Sequence, residues 1–324
     1  MRRRDFIALF SGAAAVWPIA APARQTGKLP VIGVLQHNAS GFSPWGAAFE
    51  ARLRELNWIE GRTVAIEYRW SEGRPERVAE IAAEFVQQEV GVIVAYGAAA
   101  IAVKKATTSI PIVFAPANDP VGVGLVANLS HPGGNVTGIS LQQAESAGKR
   151  FDLLRRVVPN LSRLGILFDS GYSATVREME EVQAVARNLG IEVGPRGIQQ
   201  TDEIAPVIDD LKGHVDALYV VENALIDANR ALIIRDTLTA KIPTSFVTRE
   251  LAQQGALMSY GPNLPALFAR VAEIVDRILR GTNPGEIPVE QPTKFDLVIN
   301  LKTAKALGID VPNSMQLLAD EVID

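Results

Sequence analysis

The sequence predicts an α/β fold of two Rossmann-like lobes, each built on a parallel sheet, joined by ordered crossing strands. Three observations predict it. Short apolar runs alternate with helix-spaced segments along nearly the whole chain, and such alternation builds parallel sheets with right-handed crossovers. The alternation starts again near residue 140 without a flexible linker, the mark of two lobes joined as at a hinge. The 324 residues are 48% hydrophobic but only 6% aromatic, which suits helices on buried parallel strands better than a β-sandwich.

In the first set, residues 31–35 form an apolar run and read as a buried strand. A polar loop over 36–44 follows, then a helix over 45–56 with Phe49, Leu53 and Leu56 at helical spacing. Residues 63–68 alternate, with Val64, Ile66 and Tyr68 on one strand face. Pro75 opens a helix to residue 88, as proline does at a first turn. Strands over 92–95 and 110–114 flank an Ala-rich helix over 97–105, and a fifth strand covers 135–140.

The second set opens with a helix over 149–158 and a strand over 163–168. A long amphipathic helix, 176–189, ends at Gly190, the residue type that closes helices. A strand over 191–193, a helix over 203–211, a strand over 217–221, a helix over 226–239 and a strand over 243–247 complete it.

Gly255 to Asn263 is the stretch on which the rest turns. It reads as a short buried strand, a turn and a helix start, where the chain crosses back to the first lobe. A strand over 256–259 leads into a strong helix over 264–279. A Pro/Gly-rich link over 281–292 then leads to a strand over 295–300 and a helix over 302–307.

The formal net charge is −4 and the charges are mixed along helices, so there is no basic stripe for a nucleic acid. The chain has no cysteine, which excludes thiol catalysis, Cys-based metal sites, disulfides and a lipidated Cys anchor. His37, His131 and His214 lie far apart and make no i, i+4 metal pair. Neither a cofactor nor a metal is expected.

Residues 1–23 read as an export signal: Arg2-Arg3-Arg4, an apolar run from Phe6 to Ala21, and the A-x-A site Ala21-Pro22-Ala23. Arg3-Arg4-Asp5-Phe6-Ile7 resembles a twin-arginine signal. A cleaved signal without an anchor implies a soluble periplasmic protein.

In open parallel sheets a ligand sits beyond the carboxyl ends of the strands. That rule selects Gln36-His37-Asn38, Tyr96-Gly97-Ala98 and Pro116-Ala117-Asn118-Asp119 in the first lobe. In the second it selects Asp169-Ser170-Gly171-Tyr172, Glu222-Asn223 and Thr248-Arg249, and the crossing adds Tyr260. Tyr96, Tyr172 and Tyr260 each follow a strand; a tyrosine offers a flat apolar face and a hydroxyl, or simply closes the edge of a core. Glu222 is placed to pair with a ligand amine and Asn223 to donate and accept, though either also suits a helix cap, as does Asp119. Gly97 and Ala98 open a helix whose free N–H groups suit a carboxylate. The candidate ligand-binding set is therefore Gln36, Asn38, Tyr96, Gly97, Ala98, Ala117, Asn118, Tyr172, Glu222, Asn223 and Tyr260. The glycines of His131-Pro132-Gly133-Gly134-Asn135 precede no phosphate-binding helix. No G-x-x-x-x-G-K-[ST], no G-x-S-x-G and no catalytic constellation occurs, so no enzyme is expected.

Two motifs follow the fourth strand: Asn118-Asp119-Pro120-Val121-Gly122-Val123-Gly124-Leu125-Val126 and His131-Pro132-Gly133-Gly134-Asn135-Val136-Thr137-Gly138. Later come Leu257-Met258-Ser259-Tyr260-Gly261-Pro262, Val289-Glu290-Gln291-Pro292-Thr293-Lys294-Phe295, and Val298-Ile299-Asn300-Leu301-Lys302-Thr303-Ala304 with Lys305-Ala306-Leu307-Gly308. Together these motifs resemble those of ABC-transporter substrate-binding proteins of the tryptophan/tyrosine type. The resemblance implies a type I periplasmic-binding-protein fold with two lobes, three crossing strands and closure on ligand. It also implies delivery to an ABC permease and its ATPase.

The turns Tyr96-Gly97-Ala98-Ala99 and Val221-Glu222-Asn223-Ala224 depart from the pattern of such relatives. The expected ligand is accordingly an amino acid, an aromatic acid or another small carboxylate. The expected lobes are 28–139 with about 261–288, and 140–260 with about 289–324. A monomer is expected, with no nucleic-acid partner and no membrane anchor. The same fold also serves as a ligand sensor feeding a signalling receptor, and less often as an enzyme.

Overall fold

The computed structural model describes residues 28–36, 39–72, 74–97 and 99–324; the segment expected to be an export signal, His37, Asn38 and Ala98 lie outside them. The first set of elements is β1 (Val31–Gln36), α1 (Ala39–Glu55), β2 (Ala65–Trp70), α2 (Pro75–Gln87), β3 (Val92–Ala95), α3 (Ala99–Ala106), β4 (Ile112–Ala117) and β5 (Val136–Ser140). The second runs α4 (Gln143–Val157), β6 (Arg163–Asp169), α5 (Ser173–Asn188), β7 (Glu192–Ile198), α6 (Ile204–Leu211), β8 (Ala217–Val220), α7 (Ala224–Ala228), α8 (Arg230–Thr239), β9 (Thr244–Phe246), α9 (Arg249–Gln253) and β10 (Met258–Pro262). After these come α10 (Leu264–Leu279), β11 (Phe295–Asn300), α11 (Leu301–Leu307), α12 (Asn313–Leu318) and β12 (Glu321–Ile323).

One sheet has the order β2-β1-β3-β4-β5 and is parallel throughout. β1, β3, β4 and β5 are buried and read mostly as apolar runs, whereas the edge strand β2 is half-buried and alternates. Along β3, Val92 and Val94 face the core under α1 and α10, while Ile93 and Ala95 face the core under α2 and α3. The second sheet has the order β12-β11-β10-β9-β8-β6-β7. On one face Phe151 of α4 and Val182 of α5 meet Ile166 and Tyr219; on the other, Ile208 of α6 and Ile233 of α8 meet Leu167 and Leu218.

The chain passes between the sheets three times. It leaves β5 for α4 through Gln142, whose left-handed backbone (φ 51°) is a strained turn for a residue with a side chain. It returns from β10 into α10, whose Phe268 lies buried beside Trp45 at a ring separation of 5.7 Å. It crosses again before β11, where Val289 N donates to Leu129 O (2.8 Å) and Glu290 N to Gly138 O (3.0 Å), so these residues still border the first sheet.

Four expectations differ from the structure. The second sheet is mixed: β11 runs antiparallel to β10 because the chain re-enters beside it after its excursion through α10. The helix expected from residue 45 begins at Ala39, its Ser/Gly/Pro start masking it as a loop. The single helix over 226–239 breaks at Asn229, whose side chain donates to Leu225 O (2.9 Å) and Thr201 Oγ1 (3.1 Å) instead of leaving the backbone to continue. The strand ended at 193 continues to Ile198 through Pro195, which an edge strand tolerates.

Candidate ligand cleft

The carboxyl ends of the parallel strands of both sheets face one another across a cleft. Between them lies a cavity of about 580 Å³, within the range of about 300–1,000 Å³ usual for small-molecule sites. Both lobes build its wall. From the first come Ser71 and Arg74 between β2 and α2, Tyr96 and Gly97 after β3, and Asn118 after β4. From the second come Asp169 at the end of β6 and Tyr172 after it, Gln199 and Thr201 after β7, and Asn223, Leu225 and Asn229 after β8.

Five of the candidate residues, Tyr96, Gly97, Asn118, Tyr172 and Asn223, are therefore brought to one cavity. Gly97 takes a left-handed backbone (φ 56°), the conformation glycine supplies without strain. The Tyr172 hydroxyl has no hydrogen-bond partner among the described residues. Burial, then the carboxylates of Asp119 and Asp169, push it up to about 12, so it stays protonated at neutral pH. Asn223 takes the helix-cap role expected as its alternative, and its amide donor goes to its own lobe. Its Oδ1 accepts from Ile226 N (3.1 Å) and caps α7, while its Nδ2 donates to Asp169 Oδ2 (2.6 Å).

Four other candidates, Glu222, Gln36, Ala117 and Tyr260, sit elsewhere. The Glu222 carboxylate is buried and turned into its own lobe, where it accepts from Thr248 N (2.9 Å), Val247 N and the Thr248 hydroxyl. Those three donors, rather than a ligand amine, satisfy its charge. Gln36 is buried at the end of β1 and Ala117 inside β4, neither on the cavity wall. Ala117, expected in the loop after the fourth strand, ends that strand instead, with its methyl in the core under α2 and α3. Tyr260 lies against Phe295 (5.7 Å between rings) at the core of the second lobe and off the wall. Asn38 and Ala98 fall outside the described residues.

Sequence reasoning missed Ser71, Gln199, Thr201 and Asn229. Gln199 and Thr201 follow the underestimated end of β7, and Asn229 is the unforeseen helix break. A longer reading of β7 through Pro195 would have found the first two.

Three side-chain contacts join the lobes around the cavity. Asn118 Nδ2 donates to Glu222 O (3.2 Å), Tyr96 Oη lies 3.5 Å from Asp227 Oδ2, and Arg177 Nη1 donates to Asp119 Oδ2 (2.6 Å). Burial and then the nearby Glu222 carboxylate raise Asp227 well above the usual carboxylate range. Behind the cleft, Arg150 is fully buried; its Nε donates to Tyr219 Oη (2.7 Å) and its Nη1 to Tyr260 O (3.3 Å), and it pairs with Glu178. The guanidinium also reaches Gln143 O (3.5 Å), so one cation touches the starts of two crossings.

A family model described as "ABC transporter substrate binding protein" matches residues 28–323. A tyrosine-binding protein of Clostridioides difficile (strain R20291) is 28% identical over 262 residues, covering 81% of this chain and 75% of that one. The structure of an ABC domain in complex with L-Trp from Streptococcus pneumoniae superposes with a TM-score of 0.86 at 28% identity, covering 91% of this chain and all (100%) of that one. The ligand-free, open structure of a substrate-binding protein with adhesive properties from Clostridium difficile gives 0.68 at 25% identity, covering 91% and 99%.

Proposed function

The chain belongs to the ABC transporter substrate-binding proteins, a non-catalytic class with the type I periplasmic-binding-protein fold, and from that premise we propose how it handles its ligand. It is a solute receptor of an ABC importer, working with a permease and its ATPase. Its ligand is a small organic molecule with a flat apolar body and polar ends: an amino acid, an aromatic acid or another small carboxylate. The tyrosine- and L-Trp-binding relatives put aromatic amino acids first among these.

The observation that carries this reading is the cavity whose wall both lobes share. A ligand touching both walls favours the state in which the walls are close, and so shifts the open–closed equilibrium. The better superposition on the L-Trp complex than on the open relative supports a closed arrangement here. Tyr96 and Tyr172 flank the ligand, and the free Tyr172 hydroxyl hydrogen-bonds it. Asn118 holds the two walls in register through Glu222 O, Asn223 fixes the loop of the second wall against Asp169, and Gly97 lets the backbone approach. The moving bodies are residues 28–139 with about 261–288, and 140–260 with about 289–324. The receptor acts in the periplasm as a monomer, exported by the twin-arginine route through Arg3 and Arg4.

Native mass spectrometry of the purified protein, then thermal unfolding against amino acids, aromatic acids and small carboxylates, tests this. A ligand at about 100 times its Kd adds about 2.7 kcal/mol to the folded state, a clear rise in Tm. No retained mass and no shift across the panel would count against the reading.

A further inference from the structure

We propose that Asp119 and Arg177 form a latch across the cleft mouth that holds the lobes together without touching ligand. This goes beyond the receptor reading but shares its premise that the lobes open and close.

The carboxylate is set by the first lobe alone. Asp119 follows Asn118 at the end of β4, and its Oδ1 accepts from Gly122 N (2.9 Å) in the turn that follows. That leaves Oδ2 facing outwards, where Arg177 of α5 brings its Nη1 to 2.6 Å. One half of the latch thus waits in place, and the other arrives with the second lobe.

Gly122 leaves the space in which the two meet. A Cβ there would lie 2.0 Å from Asp119 Oδ2, 2.7 Å from its Cγ and 2.9 Å from Arg177 Nη1. Neither Asp119 nor Arg177 lines the cavity, although their neighbours Asn118 and Tyr172 do. The latch therefore sits beside the ligand and is separate from it. Glu145 and Glu181 also lie in the field of Arg177, and Lys104 is taken up by Gly124 O (2.7 Å).

The contact is suited to release. The Arg177 side chain is 58% exposed and that of Asp119 19%, so salt reaches the pair. Exposed pairs are weak, and loss of this one should lower the closed-to-open ratio about two- to fivefold. A latch of that strength biases closure without locking it.

The chain has no cysteine, so Glu76→Cys and Asp202→Cys place one spin label on each rim of the cleft of the full-length protein. Electron–electron distances in the ligand-free protein then report the closed and open populations directly. The expected result is a short-distance population in low salt whose ratio to the long-distance one falls about two- to fivefold in Arg177→Gln and further in Arg177→Glu. Arg177→Lys should keep it, Gly122→Ala should shrink it by no more than Arg177→Gln does, and about 1 M salt should shrink it in the parent but not in Arg177→Gln. Arg177 is exposed, so its variants should keep the parent Tm and circular dichroism. A short population unchanged in Arg177→Glu, or no short population in the parent, would overturn the latch while leaving the hinge in place. A single short distance in every variant and at every salt would overturn the hinge as well.

Discussion

Glu178 is fully buried, and burial pushes its carboxyl up to about 7 against the opposing pull of Arg150 and the Tyr219 hydroxyl. A carboxyl raised on folding adds stability that is complete below its unfolded value, about 4.5, and lost as pH climbs through its folded value. The Tm of the parent relative to Glu178→Gln should therefore fall between pH about 4.5 and about 7. A difference that grows over that window would refute this. Above it the ionised pair is intact, and removing one partner strands a buried charge. Arg150→Met should then cost about 3–5 kcal/mol in urea unfolding, and Arg150→Met with Glu178→Gln should recover much of it. Equal losses in the single and double variants would mean that packing, not charge, holds Arg150 in place. The same scale shows where residue reading runs out. Tyr172 and Asn223 were legible because they directly follow strands. Glu222 follows one too, but its three donors come from residues 247 and 248, some 25 positions away, and no local pattern announces them.

At the scale of elements, long buried strands and strongly amphipathic helices such as α10 announce themselves by composition and spacing. α9 has 5 residues, α12 has 6 and β12 has 3, too few to show a period, and they form because neighbours pack on them. Strand direction was not legible either: the Pro/Gly-rich link before β11 does not record that the chain re-enters antiparallel. β10 shows how tightly a crossing is built. A Cβ at Gly261 would lie 2.4 Å from Val247 O and 2.5 Å from Val247 Cγ1. Gly261→Ala should cost about 1–3 kcal/mol of overpacking, read as a lower urea midpoint with an unchanged slope. A neutral result would show that β9 and β10 can part at no cost.

At the scale of the whole molecule, two sheets put their carboxyl edges against one cavity, and three crossings hold them there. That arrangement was legible because the strand–helix alternation restarts midway. The polar contacts that close it were not, because Asn118 with Glu222 and Asp119 with Arg177 join residues 104 and 58 positions apart. We propose that ligand occupies this cavity. Ala228 lines it and is exposed, so Ala228→Trp fills the space without disturbing either core. The deciding measurement is the thermal unfolding of parent and Ala228→Trp with aromatic amino acids, aromatic acids and small carboxylates. We predict that at least one compound raises the Tm of the parent, while Ala228→Trp, folded and equally stable alone, shows no rise with it. A rise that persists in Ala228→Trp, or none in the parent, would contradict the account.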